Sequence, residues 1–305
     1  MNVLITGATS ASGIESIKRY SQDFPDAHIF ATGRVQKKLD ALKNEYGVTP
    51  LLLDFNLGQD EFVQQLKKFD LPVIDIILHL CAAIPSTEKS PLDYYQVNLI
   101  NARALIENLS LAPDIKILNF SSASVYDMAS EHLHEDASLN FTHDYGASKY
   151  FFEKYIERKV EILKIQNPAH APFVLSVRIP VLLTPGVQSN FIAKWRNDIQ
   201  SGNPVKLFNP DSSFNSCVWI GDIFDFFNKL SPKNELTFVT CNVGVADKIT
   251  ILETFETLLG FMGKTSTTEV IKNDRIAQNY DCSKAKKLGF QGSTVKQAIE
   301  KFIRS

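Results

Sequence analysis

The sequence predicts an α/β fold, a doubly wound parallel sheet with a smaller mixed C-terminal lobe. Three observations predict it. Short, unbroken apolar runs recur through the first 178 residues, as strands covered on both faces require. Amphipathic stretches of helical period separate them, and repeated strand–helix units imply right-handed crossovers and hence parallel strands. The first run passes through a glycine-containing turn directly into the first helix.

Asn2–Thr6 reads as a buried strand, Gly7–Gly13 as a turn and Ile14–Phe24 as a helix. His28–Thr32 and Lys37–Tyr46 repeat the unit. Further strands are expected at Leu51–Asp54, Ile74–Leu80, Ile115–Phe120 and Phe173–Val177, with helices at Glu61–Phe69, Leu92–Leu109 and Tyr145–Ile165. After Arg178 the rhythm breaks, and Pro180, Pro185 and Gly186 mark a chain reversal. Helices at Asn190–Gln200, Ile249–Met262 and Val295–Ile303 then mix with short strands at Val205–Phe208 and Leu236–Cys241. The expected division is a dinucleotide-binding domain over 1–178 and a substrate-binding lobe over 179–305. Segments of that lobe can return to the first core. The lobe is expected to cover the carboxyl edge of the sheet, where ligands of such sheets bind.

The chain has 305 residues, enough for one large core and an appended lobe. Its net charge of -2 gives no basic footprint for nucleic acid. No apolar run reaches the roughly 18 residues of a membrane span. MNVLITGATS lacks the basic region of a signal peptide. Cys81, Cys217, Cys241 and Cys282 are dispersed, which suits reduced thiols in a cytoplasmic setting. His132 and His134 have no suitably spaced third ligand, so no metal is expected. His79 ends an apolar run and reads as a core histidine, and Phe224, Phe226 and Phe227 read as core.

Thr6-Gly7-Ala8-Thr9-Ser10-Ala11-Ser12-Gly13 follows the first strand and opens a helix. Gly7 permits the tight turn, and Gly13 lets helix and strand pack closely. The free N–H groups of Thr9, Ser10, Ala11 and Ser12 and the helix dipole then suit a pyrophosphate. This is the dinucleotide turn of a Rossmann domain, with Ser10 where the middle glycine usually stands. The second strand ends at Thr32-Gly33-Arg34, with Lys37 and Lys38 close behind. An acid here suits the free ribose of NAD, whereas arginine suits a 2′-phosphate, so NADP is expected over NAD. A solvated basic helix start is the plainer reading. Asp54, with Phe55 beside it, ends the third strand, placed either to accept from the adenine amine or simply to close the strand.

Tyr145 and Lys149 stand at i and i+4, on one helix face. An ammonium beside a phenol favours the phenolate, so the pair suits proton exchange with a substrate oxygen. Phe120-Ser121-Ser122-Ala123-Ser124-Val125-Tyr126 precedes it at a strand end. With these residues the chain resembles the extended short-chain dehydrogenase/reductase family, in its epimerase/dehydratase branch. The resemblance adds His79-Leu80-Cys81-Ala82, Val97-Asn98, Tyr145-Gly146-Ala147-Ser148-Lys149, Arg178 with Pro185-Gly186, Asp222 and Asp281-Cys282-Ser283-Lys284-Ala285.

That resemblance implies an NAD(P)-dependent oxidoreductase. Tyr145 would be its acid/base, Lys149 its nicotinamide-ribose ligand, and Ser122 the hydrogen-bond partner of the reacting oxygen. Cys81, Ala82 and Ala83 would wall the nicotinamide half, and Asn98 would steady the central helix. A homodimer would form through helices 92–109 and 145–165. The chain departs from the family where nucleotide-sugar phosphates are gripped: Val181 replaces an amide, Asn215 an arginine and Trp219 a histidine. Ala123 and Ser124 replace the Asp-Glu pair of dehydratases. A small carbonyl or alcohol is therefore the expected substrate. A nucleotide-sugar epimerase with tightly bound NAD and a non-catalytic dinucleotide sensor are the alternatives.

Overall fold

The computed structural model describes residues 1–86, 89–127, 129–230, 237–274 and 276–305. The main sheet has seven strands: β1 Asn2–Thr6, β2 His28–Gly33, β3 Thr49–Leu52, β4 Ile74–His79, β5 Leu111–Ser122, β6 Phe173–Ile179 and β7 Phe238–Asn242. Their spatial order is β7-β6-β5-β4-β1-β2-β3. The β1–β2, β1–β4, β2–β3 and β4–β5 pairs are parallel. The sheet reverses its winding between β1 and β4, and at such a switch point the strand ends open a ligand crevice. The expected doubly wound fold is the observed one.

Helices α1 Ala11–Asp23, α2 Gln36–Tyr46 and α3 Gln59–Leu66 follow the first three strands. The stretch expected as one helix over Leu92–Leu109 is α4 Pro91–Tyr95, a π-helical turn Gln96–Asn101 and α5 Ala102–Asn108. The widened turn brings Asn98 and Asn101 inward, and both are fully buried. Helix α6 spans Asp144–Gln166.

The chain forms two compact units. The first comprises Met1–Val125 and Asn140–Arg178, together with Phe238, Val239 and Thr240 of β7. Its core gathers Leu4, Phe30, Phe62, Ile77, Ile117 and Phe152. The second comprises Tyr126–Leu139, Ile179–Leu230 and Cys241–Ser305. It holds α7 Phe191–Ser201, α8 Ile220–Lys229, α9 Ile251–Met262, α10 Ser283–Lys287 and α11 Val295–Arg304. Its core includes Ile192, Trp195, Phe255, Leu258 and Phe302. Phe224, Phe226 and Phe227 are buried on α8. Of the strand expected at Leu236–Cys241, Leu236 lies outside the described residues. Among the described residues no helix is long and apolar enough to cross a membrane.

Candidate functional site

The sequence-predicted residues of the first unit fall on one edge of the sheet. Because β1 to β5 pair in parallel, Gly7, Arg34, Asp54, Cys81 and Ser122 all stand at or just beyond carboxyl ends of strands. This common edge is what the parallel register supplies; the residues themselves are dispersed over more than a hundred positions.

Gly7 has φ +66, in the left-handed region, and a Cβ there would lie 3.0 Å from the Cys81 backbone. A Cβ on Gly13 would collide with the Gly7 carbonyl and the Ala8 backbone, so only glycine permits α1 to start this close to β1. Ser10 takes an ordinary extended conformation and caps α1, its Oγ accepting from the Gly13 N–H at 3.1 Å. The hydroxyl thus holds an amide that an anion at this helix terminus would compete for. Thr9 packs its methyl near Gly33. The Ala11–Ser12 pair opens the first turn of α1.

Arg34 is exposed just past β2, as are Lys37 and Lys38 at the start of α2. Asp54 accepts at Oδ1 from the Asn56 N–H at 2.9 Å and from Asn56 Nδ2 at 2.6 Å. That oxygen is therefore engaged in the local turn. Phe55 packs against Phe62, with ring centroids 4.8 Å apart, and its carbonyl accepts from Asn101. Its side chain serves the core rather than a ligand surface.

Thr6 organises the loop after β4. Its Oγ1 accepts from the Leu80 and Cys81 N–H groups, each at 3.1 Å, and lies 3.0 Å from His79 Nδ1. With two N–H groups directed at it, the hydroxyl sends its own proton to Nδ1, so the buried imidazole is neutral with its proton on Nε2. Burial and the nearby Lys149 ammonium push the His79 pKa down to about 3. Ala83 is held by Asn98, which accepts from its N–H at 2.7 Å and donates to its carbonyl at 3.1 Å. Asn98 also donates to Ser148 Oγ on α6. Asn101 donates to the Phe55 and Leu57 carbonyls. The π-helical turn thus clasps two loops and the first turn of α6. Sequence reasoning missed Asn101 and the π turn, because an extra residue in one turn leaves no periodic signature.

Ser122 ends β5 and Tyr145 opens α6. A Cβ on Gly146 would run into the Ser124 carbonyl, so this glycine lets α6 approach the end of β5. The Ser122 hydroxyl, whose oxygen accepts from the Ser124 N–H at 3.1 Å, lies near enough to the Tyr145 phenol to favour its ionised form. Burial outweighs it, and the phenol pKa lies above its ordinary value of 10.0. The lowering expected from Lys149 is thus not the net result. Lys149 is itself 3% exposed. Burial pushes its ammonium down to about 8, opposed by the charge of Glu153. Burial likewise raises the Cys81 thiol to about 12, which makes it a poor nucleophile at neutral pH.

One turn beyond Lys149, Glu153 meets Arg178 in a buried two-point pair. Arg178 Nη2 lies 2.8 Å from Oε2, and Nε donates to Oε1 at 3.2 Å. In the second unit, Asn215 donates to the Tyr280 carbonyl at 2.9 Å and accepts from the Tyr280 N–H at 3.1 Å. Both ends of its amide are occupied by the chain itself. Val181 pairs with Cys217, and Trp219 with Leu183, in a short parallel ladder.

A parallel sheet with a glycine turn at its switch point, and a Ser–Tyr–Lys set beside it, defines the nicotinamide-dependent enzymes of the short-chain type. Residues 3–244 match the NAD dependent epimerase/dehydratase family, and the chain belongs to that family. Solved structures share the fold along their length. The UDP-glucuronic acid 4-epimerase of Bacillus cereus in complex with NAD is 19% identical, with a TM-score of 0.74, covering 100% of this chain and 96% of that one. The dTDP-glucose 4,6-dehydratase of Bacillus anthracis in complex with NAD is 15% identical, at 0.74 and the same coverage. The Bordetella bronchiseptica enzyme WbmG in complex with NAD and UDP is 17% identical, at 0.75, covering 99% and 93%.

Proposed function

We propose that the chain is a hydride-transferring oxidoreductase acting on a small carbonyl or alcohol, with NADP preferred to NAD. The observation that carries this is the joining of Ser122, Tyr145 and Lys149 at the edge where the Gly7–Gly13 turn opens. The turn fits a dinucleotide, because its two glycines stand where a Cβ has no room and the N-terminus of α1 there suits an anion. When bound, the nicotinamide supplies or accepts the hydride.

Tyr145 exchanges the proton with the substrate oxygen. Ser122 orients that oxygen, and Lys149 holds the nicotinamide ribose. Lys149 is buried and Tyr145 half-buried, which limits the access of water to the proton's path. Arg34, exposed at the end of β2, receives the 2′-phosphate. Cys81, Ala82 and Ala83 wall the nicotinamide half, and residues 179–305 recognise the substrate. Asn215 holds the Tyr280 backbone with both ends of its amide, which supports a substrate without a diphosphate. The protein works as a homodimer, in a cytoplasmic setting.

A second reading, a nucleotide-sugar epimerase with tightly bound NAD, draws on the full-length likeness to solved epimerases. A thermal-shift screen of NADPH, NADH and UDP-, GDP- and dTDP-sugars separates the two. A ligand at a hundred times its Kd stabilises by roughly 2.7 kcal/mol. The first reading expects NADPH to stabilise most and the nucleotide sugars not at all. A micromolar Kd for any nucleotide sugar overturns it in favour of the second. Arg34→Ala is expected to weaken NADPH binding by about 1.5–3 kcal/mol, as for a charge-assisted contact, and to leave NADH unchanged. A wild-type preference for NADH removes the assignment of Arg34.

A further inference from the structure

The Tyr145 ring stands between two others. Tyr94 of α4 meets it edge-on, with centroids 5.9 Å apart and planes at 68°. His143, just before α6, meets it at 6.3 Å and 83°. These two neighbours differ in firmness. His143 is exposed, and its side chain makes no capping bond to α6. Tyr94 is buried within the first unit's core.

The element carrying Tyr94 is fixed at both ends. At its start, Pro91 occupies the first turn of α4, and Ser90 and Asp93 form a capping box, with the Ser90 N–H donating to Asp93 at 2.7 Å. At its end comes the π-helical turn, where Asn98 binds both polar groups of Ala83 and the Ser148 hydroxyl. Ser148 in turn donates to the Tyr145 carbonyl at 2.8 Å. Tyr95 adds a contact to Asp144, the residue before Tyr145. Backbone and ring of Tyr145 are thus both set from α4 and its π turn.

We propose that Tyr94 is a positioning residue for Tyr145, holding its ring so that the phenol oxygen stays on Ser122. This rests on the reading of Tyr145 as the acid/base. An acid/base must sit within hydrogen-bond reach of the oxygen it serves, and small displacements are expensive in rate. An aryl group can turn about its side-chain bonds, and an edge-on aromatic neighbour restricts that turning at the spacing seen here. The ring of Tyr94 performs this role, so phenylalanine can replace it and an aliphatic side chain cannot.

Ionisation of Tyr145 in the cofactor-bound protein, followed by tyrosinate absorbance, reads this out without a substrate. Among the described residues, Tyr94 on α4 and Ser122 at the end of β5 act on the phenol, His143 lies beside its ring, and Lys149 stands one turn on along α6. All except Tyr94 are unchanged in the variants. Tyr145→Phe identifies the step that belongs to Tyr145. Burial holds that step above 10.0 in the cofactor-free protein, and the positive charge of an oxidised nicotinamide is expected to bring it below that of free tyrosine; if Tyr145→Phe removes no such step, the acid/base reading fails, whatever Tyr94 does.

Given that step, Tyr94→Leu is expected to raise its midpoint by about one pH unit, because a loosened phenol moves away from the Ser122 hydroxyl that favours its ionised form. Tyr94→Phe is expected to move it by less than about half of that, and cofactor affinity stays at the wild-type level in both. Tyr94→Met, which fills similar space without a ring, takes the place of Tyr94→Leu if the latter does not fold. An unmoved or lowered midpoint in the ringless variant overturns the proposal, as does an equal rise in Tyr94→Phe.

Discussion

At the scale of single residues, the site combines groups that burial works against. Tyr145 is held protonated, and Lys149 carries its charge in a place that pulls its pKa to about 8 from 10.5. The folded protein releases the Lys149 proton near pH 8, whereas the unfolded chain keeps it until about 10.5. Between those values the unfolded state binds more protons, so this group's contribution to stability rises with pH; below pH 8 it is a constant burden. Lys149→Met is therefore expected to stabilise the cofactor-free protein at pH 7 by roughly 1–3 kcal/mol, an advantage that shrinks towards pH 10.5.

Urea unfolding of both proteins at pH 7 and pH 10 measures it. A variant no more stable at pH 7, or a difference independent of pH, contradicts the argument. The same variant is expected to bind cofactor more weakly, since it loses the proposed ribose contact. Tyr145→Phe keeps the ring between Tyr94 and His143 and removes only the proton and its oxygen. It is expected to keep cofactor affinity and to lose at least about two orders of magnitude in turnover. Ser122→Ala is expected to lose less. Turnover at saturating cofactor decides this, and equal rates for wild type and Tyr145→Phe refute the assigned chemistry.

Among the elements, α6 links the site to the fold. Its inner face carries Tyr145, Lys149 and Glu153 at successive turns, and Glu153 closes the row on Arg178 of β6. Removing one member of such a buried pair leaves a desolvated charge. Glu153→Ala is expected to destabilise by about 3–5 kcal/mol, and Glu153→Leu combined with Arg178→Met by much less. Chemical denaturation of the single and double variants tests this; equal losses mean that the pair matters through packing alone. Arg178 was legible in the sequence, but its partner was not, because the pairing depends on β6 lying beside the helix.

The strands of the first unit were legible for a related reason. A strand covered on both faces must be apolar throughout, and β1 to β6 are expected and found within a few residues. The second unit yielded less. Cys217–Trp219 pairs with Val181–Leu183, and Thr268–Ile271 with Val205–Phe208, across long separations that local pattern does not encode. Helix α8 went unassigned because its Phe-rich run signals burial without signalling period. In the site, the glycine turn and the Tyr145–Lys149 spacing were readable because steric need and helical period fix them. Tyr94, Asn101 and the roles of Asp54 and Phe55 depend on which neighbours the fold brings near.

For the whole molecule, the open question is what covers the outer face of α6. Phe151, Arg158 and Ile165 follow one another at seven-residue spacing, which keeps them within a narrow stripe of an α-helix. Phe151 and Ile165 are 43% and 69% exposed, and Leu92 on α4 is 68% exposed. Phe151 stacks on Phe141, itself exposed, with centroids 5.9 Å apart. Among the described residues Arg158 is paired with exposed Glu161, a contact worth little and easily exchanged. Large apolar side chains grouped on a helix face whose other side is fully engaged point to burial by a partner. The proposed homodimer would supply that partner, a second copy meeting α4–α5 and α6 with its own through a two-fold contact. The chain is expected to run as a dimer at micromolar concentration in light scattering after size exclusion. Phe151→Glu combined with Ile165→Lys is expected to give a folded monomer. Every residue of the proposed cofactor site lies in the first unit of one chain, so the monomer is expected to bind NADPH as the wild type does. A monomeric wild type, or a variant that remains dimeric, rules out this face as the interface. A monomer that folds but no longer binds NADPH shows instead that the partner holds α6 in place.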